Sequence, residues 1–87
     1  MATVWIPSLL RPLTGGHERV TAGGRTLGEV IAALDAAYPG IGARLCEGDE
    51  IAPSLTAWID GRVARRGLQE PVGEKSEVQF LPAVGGG

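Results

Sequence analysis

Apolar and polar residues alternate in three stretches of the chain, "TVWIP", "LTAWIDGRVA" and "SEVQFLP". β-branched and aromatic residues are frequent in them, and both features are typical of strands with one buried face. A further strand is predicted in "HERVTA", which returns after the glycine turn of "LTGGHE" as the second half of a hairpin. Asp60-Gly61 predicts a two-residue turn that leads the third strand into a short fourth strand.

The segment "TLGEVIAALDAAYPG" has the spacing of an amphipathic helix. Thr26 followed by Glu29 forms a capping box at its start, and Pro39-Gly40 ends it. The apolar positions that recur at helical spacing are Leu27, Val30, Ile31, Leu34 and Tyr38. The following segment, "IGARLCEGDEIAPS", predicts an irregular connection with a short helical turn.

The predicted order is therefore β-β-α-β-β-β, an α+β fold in which one main helix covers one face of a mixed sheet. This is the outline of a β-grasp. We expect residues 1–82 to form the domain and residues 83–87 to form a flexible, glycine-rich C-terminal tail. A last strand placed centrally in the sheet would anchor the root of that tail.

Composition limits the possible functions. With 87 residues the chain forms one domain, and its formal charge of -2 argues against a nucleic-acid partner. The sequence has no apolar run of membrane-spanning length and no secretion signal. We therefore expect a cytoplasmic protein that has no membrane partner. Cys46 is the single cysteine, which excludes an internal disulfide.

The C-terminal "VGGG" directs attention to the terminal carboxylate. Extended, residues 83–87 reach at most about 17 Å, far enough to enter another protein's active site. Because glycine has no Cβ, Gly85, Gly86 and Gly87 could pass through a channel too narrow for other residues. A carboxylate resists nucleophiles until adenylation with ATP gives it a good leaving group, after which a sulfur nucleophile can displace AMP and leave a thiocarboxylate.

The β-grasp order closing on "FLPAVGGG" resembles the ThiS/MoaD-like family of ubiquitin-like sulfur carriers. Within that family, "LLRPLTGG", "TLGEVIAALDAAYPGI" and "LPAVGGG" are most similar to the carriers that serve cysteine biosynthesis. The resemblance implies that Gly87 bears the thiocarboxylate and that Gly86 completes the family's diglycine. Gly85 is an additional glycine, and it does not affect the resemblance if the diglycine is counted back from the C-terminus.

The resemblance also implies a set of partner enzymes. These are an adenylating sulfurtransferase of the ubiquitin-activating (E1-like) type that uses ATP, and a cysteine synthase that holds an aminoacrylate on pyridoxal phosphate. A zinc-dependent peptidase of the JAMM type would then free cysteine from the carrier. The chain itself would be no enzyme and would bind no cofactor or metal.

Several alternatives remain open at this point. The same tail would suit the small subunit of molybdopterin synthase or a carrier for thiamine synthesis. A different class is a ubiquitin-like modifier joined to lysine amines through Gly87, and a third is a non-covalent binding module whose tail has no role. A stand-alone enzyme is disfavoured because no acid–base pair, activated nucleophile or phosphate-binding loop has a recognisable spacing.

For the remaining candidate residues we expect a structural role or assign none. Cys46 lies beside Glu47, whose charge disfavours a reactive thiolate, and His17 is expected in a turn. The arginines of "GRVARRG" could dock an acidic partner or simply be solvated, and no role is assigned to them. Trp58 and Leu81 should point away from the Val78–Phe80 face, where they could recognise a partner, although ordinary core packing is favoured for both.

Overall fold

Seven strands, two α-helices and two 3-10 helices make up residues 1–83, the part of the chain that the computed structural model describes. In chain order they are β1 (Ala2–Trp5), a 3-10 helix (Ser8–Thr14), β2 (Arg19–Ala22), α1 (Leu27–Ala37), α2 (Ile41–Leu45), β3 (Cys46–Glu47), β4 (Glu50–Ile51), β5 (Leu55–Ile59), β6 (Arg62–Val63), a second 3-10 helix (Gly67–Gln69) and β7 (Glu77–Pro82). The predicted order is confirmed, with short elements added to three of its connections.

Five strands form one mixed sheet in the order β2-β1-β7-β5-β6. The last strand, β7, lies at its centre, as predicted. It pairs in parallel with β1, where Val78 faces Val4, and antiparallel with β5, where Phe80 faces Ala57. The other pairs are antiparallel hairpins, so β7 joins an N-terminal hairpin to a second hairpin formed by β5 and β6.

One face of the sheet packs against α1, and the core lies between them. Strand residues facing the helix are buried because period-2 alternation places every second side chain on the same face. The core contains Ala2, Val4, Ile6, Leu10, Ala22, Leu27, Val30, Ile31, Leu34, Ile41, Leu45, Ala57, Ile59, Val72, Val78 and Phe80. Four of the five helix positions with the predicted spacing are buried, and the fifth, Tyr38, is half-buried at the helix end.

The start of α1 has the predicted capping interactions. The Thr26 hydroxyl accepts a hydrogen bond from the backbone N–H of Glu29 at 3.2 Å. In return, the Glu29 carboxylate accepts one from the backbone N–H of Arg25 at 2.9 Å, one residue before the position expected for a capping box. The Glu29 N–H, one of the groups that a helix start leaves unpaired, is thus satisfied, and the second bond ties the residue before the cap to the first turn.

The end of α1 is fixed to α2 by Asp35. Its carboxylate oxygen accepts hydrogen bonds from the backbone N–H groups of Gly40 and Gly42, at 3.1 and 2.9 Å. Gly40 has a φ of +102°, which glycine adopts without strain. The chain therefore reverses at the predicted Pro39-Gly40 stop, and the predicted helical turn follows directly as α2.

Three connections are more regular than predicted, and one of them is that between β6 and β7, which contains the second 3-10 helix. The segment after α2 contains a separate hairpin, in which Cys46 of β3 faces Ile51 of β4. A 3-10 helix also fills part of the connection between β1 and β2. Strands of two residues are too short for alternation to be visible, and Pro12 inside the 3-10 helix argued locally against any helix.

The Asp60-Gly61 turn has the predicted form. Both residues have positive φ, +52° and +80°, as the favoured two-residue hairpin turn requires. The Asp60 carboxylate also accepts hydrogen bonds from the Ser76 hydroxyl at 2.7 Å and from the Glu77 backbone N–H at 2.9 Å. These bonds, the one from Glu77 first, lower the pKa of Asp60 and tie the turn to the start of β7.

Candidate functional site at the root of the C-terminal tail

The root of the tail is held at the centre of the sheet. Val78 and Phe80 of β7 are buried against the helix-facing core. Pro82 is the last residue of β7 and faces Leu55, and the Ala83 backbone N–H then donates a hydrogen bond to the Ser54 carbonyl at 2.9 Å. β7 pairs with β1 at Glu77–Gln79 and with β5 as far as Pro82, so the position and direction of the chain at Ala83 are set by its bonding to β5 and Ser54.

The three predicted site residues, Gly85, Gly86 and Gly87, lie outside the described residues, as does most of the predicted flexible tail. The structure therefore places the root from which they follow. Counted from Ala83, the four remaining residues span at most about 14 Å, at 3.3–3.6 Å per residue. Any group that reacts with the Gly87 carboxylate must come within that distance of Ala83.

The sheet face opposite α1 carries a row of side chains that crosses four strands. Trp5 of β1 and Trp58 of β5 both lie beside Gln79 of β7, and Val63 of β6 lies beside Trp58. Both tryptophans are half-buried, and Leu81, in the next row toward the tail, is 44% exposed. The expectation that Trp58 and Leu81 pack in the core is wrong, because α1 covers the other face.

Trp5 is held in place by two polar contacts. Its indole N–H donates to the Glu77 carboxylate at 3.0 Å, and the Arg19 guanidinium lies 5.5 Å from the centre of its ring. This second distance falls within the range of a cation–π contact. The open face thus presents oriented aromatic groups close to the strand that carries the tail.

In the described part of the chain, neither the single histidine nor the single cysteine lies in a catalytic arrangement. His17 is exposed in the turn before β2, as predicted. Cys46 is half-buried in β3, where burial raises the pKa of its thiol and disfavours the thiolate. Within residues 1–83, no three histidine, cysteine or acidic side chains are grouped so that they could bind a metal, and no helix there is long and apolar enough to cross a membrane.

Sequence reasoning missed a groove of about 950 Å³ beside the tail root. Its lining includes Asp49 and Glu50 of the β3–β4 hairpin and Arg65 and Arg66 of the segment after β6, and we call these two segments its acidic wall and its arginine wall. Ile51, Leu55 and Leu68 are among the apolar residues that line it. We call this feature the charged groove. Its walls are about 16 positions apart in the sequence, so no local pattern could have revealed it.

Comparison with known proteins assigns the family. The model of the ThiS family matches residues 4–87, which is nearly the whole chain. The protein belongs to the ThiS family. The resemblance drawn from the sequence is thereby confirmed, and the β-grasp order of the sheet agrees with it.

Three known proteins are similar to this chain over nearly its full length. The sulfur carrier protein CysO of Mycobacterium tuberculosis is 40% identical over 98% of this chain and 97% of its own length. The CysO chain in a crystal structure of the Amycolatopsis orientalis BexX/CysO complex aligns over the full length of both chains, with a TM-score of 0.91 and 34% identity. Small archaeal modifier protein 1 of Methanosarcina acetivorans aligns over 99% of this chain and 95% of its own, with a TM-score of 0.78 and 25% identity.

Proposed function

We propose that this protein is a sulfur carrier whose Gly87 carboxylate is converted into a thiocarboxylate. The observation that carries the proposal is the continuity of β7 with the tail: a central strand that ends at Pro82 is followed, after Ala83 and Val84, by three glycines. The similarity of nearly the whole chain to a protein named as a sulfur carrier supports it.

The first step of the proposed chemistry is activation of the carboxylate by an adenylating enzyme. A Gly87 oxygen attacks the α-phosphate of ATP, pyrophosphate leaves, and an acyl adenylate forms. Hydrosulfide then adds to the acyl carbon and AMP departs with the original oxygen, which leaves sulfur in its place. The partner enzyme supplies the catalytic groups, and the carrier supplies a reacting end group.

The carrier's own contribution is to hold the start of its tail in position for the partner enzyme. The sheet fixes the chain up to Ala83, which removes much of the orientational freedom that a free peptide would lose on entering an active site. Gly86 and Gly87 carry no side chain, so the partner can close tightly around them. A rigid root and a narrow end together allow a deep, water-excluding active site to reach the carboxylate.

The proposed destination of the sulfur is cysteine. In this route the thiocarboxylate sulfur adds to a three-carbon acceptor held by a cysteine synthase that depends on pyridoxal phosphate, so that a thioester joins Gly87 to the new cysteine. Transfer of the acyl group from the sulfur to the amino group of that cysteine then gives an amide. A zinc-dependent peptidase of the JAMM type would then release cysteine from Gly87. The identity to the CysO carrier favours this destination over molybdopterin or thiamine synthesis.

The test is the intact mass of the carrier after incubation with ATP, hydrosulfide and the adenylating enzyme from the same cells. We expect a mass gain equal to the replacement of one oxygen by sulfur, and fragmentation should place it on Gly87. A cysteine adduct at Gly87, formed when the cysteine synthase and its substrate are added, would identify the pathway. An unchanged mass, with an enzyme shown to be active on another carrier, would refute the proposal.

The three glycines provide a matched pair of control variants. Gly86→Ala places a Cβ within the proposed diglycine and should slow thiocarboxylate formation at least about tenfold, since about 1.4 kcal/mol in the transition state is sufficient. Gly85→Ala adds the same methyl group one residue earlier, outside the proposed diglycine, and should slow the reaction less than Gly86→Ala does. Equal rates for the two variants would contradict the assignment of a narrow channel around the last two residues.

A second candidate function is covalent modification of other proteins through Gly87. The similarity to small archaeal modifier protein 1 favours it. The same activated acyl group would then react with a lysine amine and form an amide. Mass spectrometry of cell extracts would distinguish the two functions, because modification leaves the carrier's C-terminal fragment, residues 76–87 after tryptic cleavage at Lys75, on lysines of digested target proteins.

A further inference from the structure

The charged groove begins where the tail begins. Ala83 is bonded to the carbonyl of Ser54, and the two neighbours of Ser54, Pro53 and Leu55, both line the groove. An enzyme that reaches Gly87 must come within about 14 Å of Ala83. Its surface is therefore brought next to the groove by the geometry of the tail alone.

The arginine wall of the groove is preformed. Beyond β6, the Ala64 N–H donates to the Ala57 carbonyl at 2.9 Å, and the chain then leaves the sheet. The Arg66 backbone N–H donates to the Glu70 carboxylate at 2.9 Å. Leu68 packs over Gly28 of α1, where an added Cβ would lie 3.2 Å from the Leu68 carbonyl oxygen. The segment that carries Arg65 and Arg66 is thus fixed against the helix.

The acidic wall is also fixed to the core. The hairpin of β3 and β4 carries Asp49 and Glu50, and Ile51 of this hairpin packs against the core. Just after β4, the Ala52 N–H donates to the Leu45 carbonyl at 2.9 Å. Both walls therefore keep their separation without a ligand between them.

The charges on the two walls do not neutralise each other. Arg65, Arg66, Asp49 and Glu50 are all exposed. In residues 1–83, the ion pair with atoms within 4 Å joins the N-terminus to Glu74, and it involves neither wall. A partner segment that lies in the groove meets positive charge on one side, negative charge on the other, and apolar side chains between them.

We propose that the charged groove is a docking site for the adenylating enzyme that acts on Gly87. The proposal rests on the proposed function. The segment that binds has apolar side chains facing Ile51 and Leu68, an acidic side chain facing Arg65 and Arg66, and a basic side chain facing Asp49 and Glu50. Opposite charges on the two walls fix the direction in which this segment lies, and so orient the tail toward the active site.

The test is the dependence of ATP-dependent pyrophosphate release on carrier concentration, with the adenylating enzyme from the same cells. The double variant Arg65→Glu/Arg66→Glu should raise KM for the carrier about tenfold or more and leave kcat unchanged, because docking weakens while the tail is intact. Added salt should raise the wild-type KM more than that of the variant. The control is Arg25→Glu/Arg44→Glu, which reverses the same charge at two exposed arginines outside the groove and should leave KM within about twofold.

A second variant tests the acidic wall separately. Asp49→Lys/Glu50→Lys should also raise KM, whereas a lowered KM would overturn the proposed basic side chain. Far-UV circular dichroism and thermal unfolding establish that each variant is folded. If the wild type is adenylated and the arginine variant has an unchanged KM, the docking proposal fails and the carrier function stands. If the wild type itself is not adenylated, the carrier function fails. An effect confined to the sulfur-accepting enzyme would also overturn the assignment to the adenylating enzyme.

Discussion

Replacing Gly24 with alanine should destabilise the domain by about 2–6 kcal/mol. Gly24 has a φ of +148°, in a region that costs other residues about 1–3 kcal/mol. An added Cβ would also lie 2.7 Å from the Val30 nitrogen and 2.9 Å from the Glu29 carbonyl carbon. These atoms belong to the first turns of α1 and cannot move without disturbing the cap, so overpacking adds about 1–3 kcal/mol.

Thermal unfolding followed by circular dichroism measures the effect. For a domain of this size, each kcal/mol shifts the Tm by about 4–8 °C, so the Tm of Gly24→Ala should fall by at least about 8 °C. Gly23→Ala is the matched control, because Gly23 has no positive φ and no atom within 4 Å of the position of an added Cβ. Its Tm should change little or rise slightly. Similar Tm values for the two variants would refute the reasoning.

Three further predictions concern stability. Asp60→Asn should lower the Tm at neutral pH. Because the native pKa of Asp60 is lowered, the Tm difference between the wild type and this variant should shrink as the pH falls from about 5 through that pKa. A Tm difference that does not depend on pH would contradict this. Asp35→Ala removes the acceptor for the Gly42 N–H and should cost about 1–2 kcal/mol in urea unfolding, so an unchanged midpoint would show that the cap is dispensable. Leu34→Ala should cost about 2–5 kcal/mol in the same assay, since Leu34 is buried, and a loss below about 1 kcal/mol would indicate that the site collapses around the cavity.

Local sequence signals predicted the elements that are governed by local physics. The capping pair Thr26 and Glu29 marked the start of α1 within one residue, since side-chain capping acts over a single helical turn. Asp60-Gly61 marked its hairpin turn because few residue pairs adopt two positive φ angles at low cost. Strand order in a sheet depends on contacts between distant parts of the chain, which no local signal reveals. The central place of β7 was therefore predicted from the expected β-grasp fold.

The features that escaped prediction depend on tertiary contacts. Leu81 has the same local pattern whichever sheet face the helix covers, so its exposure is decided by the packing of α1. The charged groove requires that Asp49 and Arg65 come to line the same depression, and each alone is an ordinary surface residue in the sequence. The role of the tail glycines stays a prediction, because they lie outside the described residues and the structure places only the strand before them.

The central position of β7 has a consequence for how the protein is made. Until residues 77–82 leave the ribosome, the hairpin of β1 and β2 and the hairpin of β5 and β6 have no strand between them to join them into one sheet. Pairing of β1 with β7 links segments more than 70 positions apart, a long-range contact of the kind that forms late in folding. Folding of the sheet and synthesis of the tail glycines are therefore completed almost together, and a prematurely terminated chain would lack both the joined sheet and the end group proposed to react.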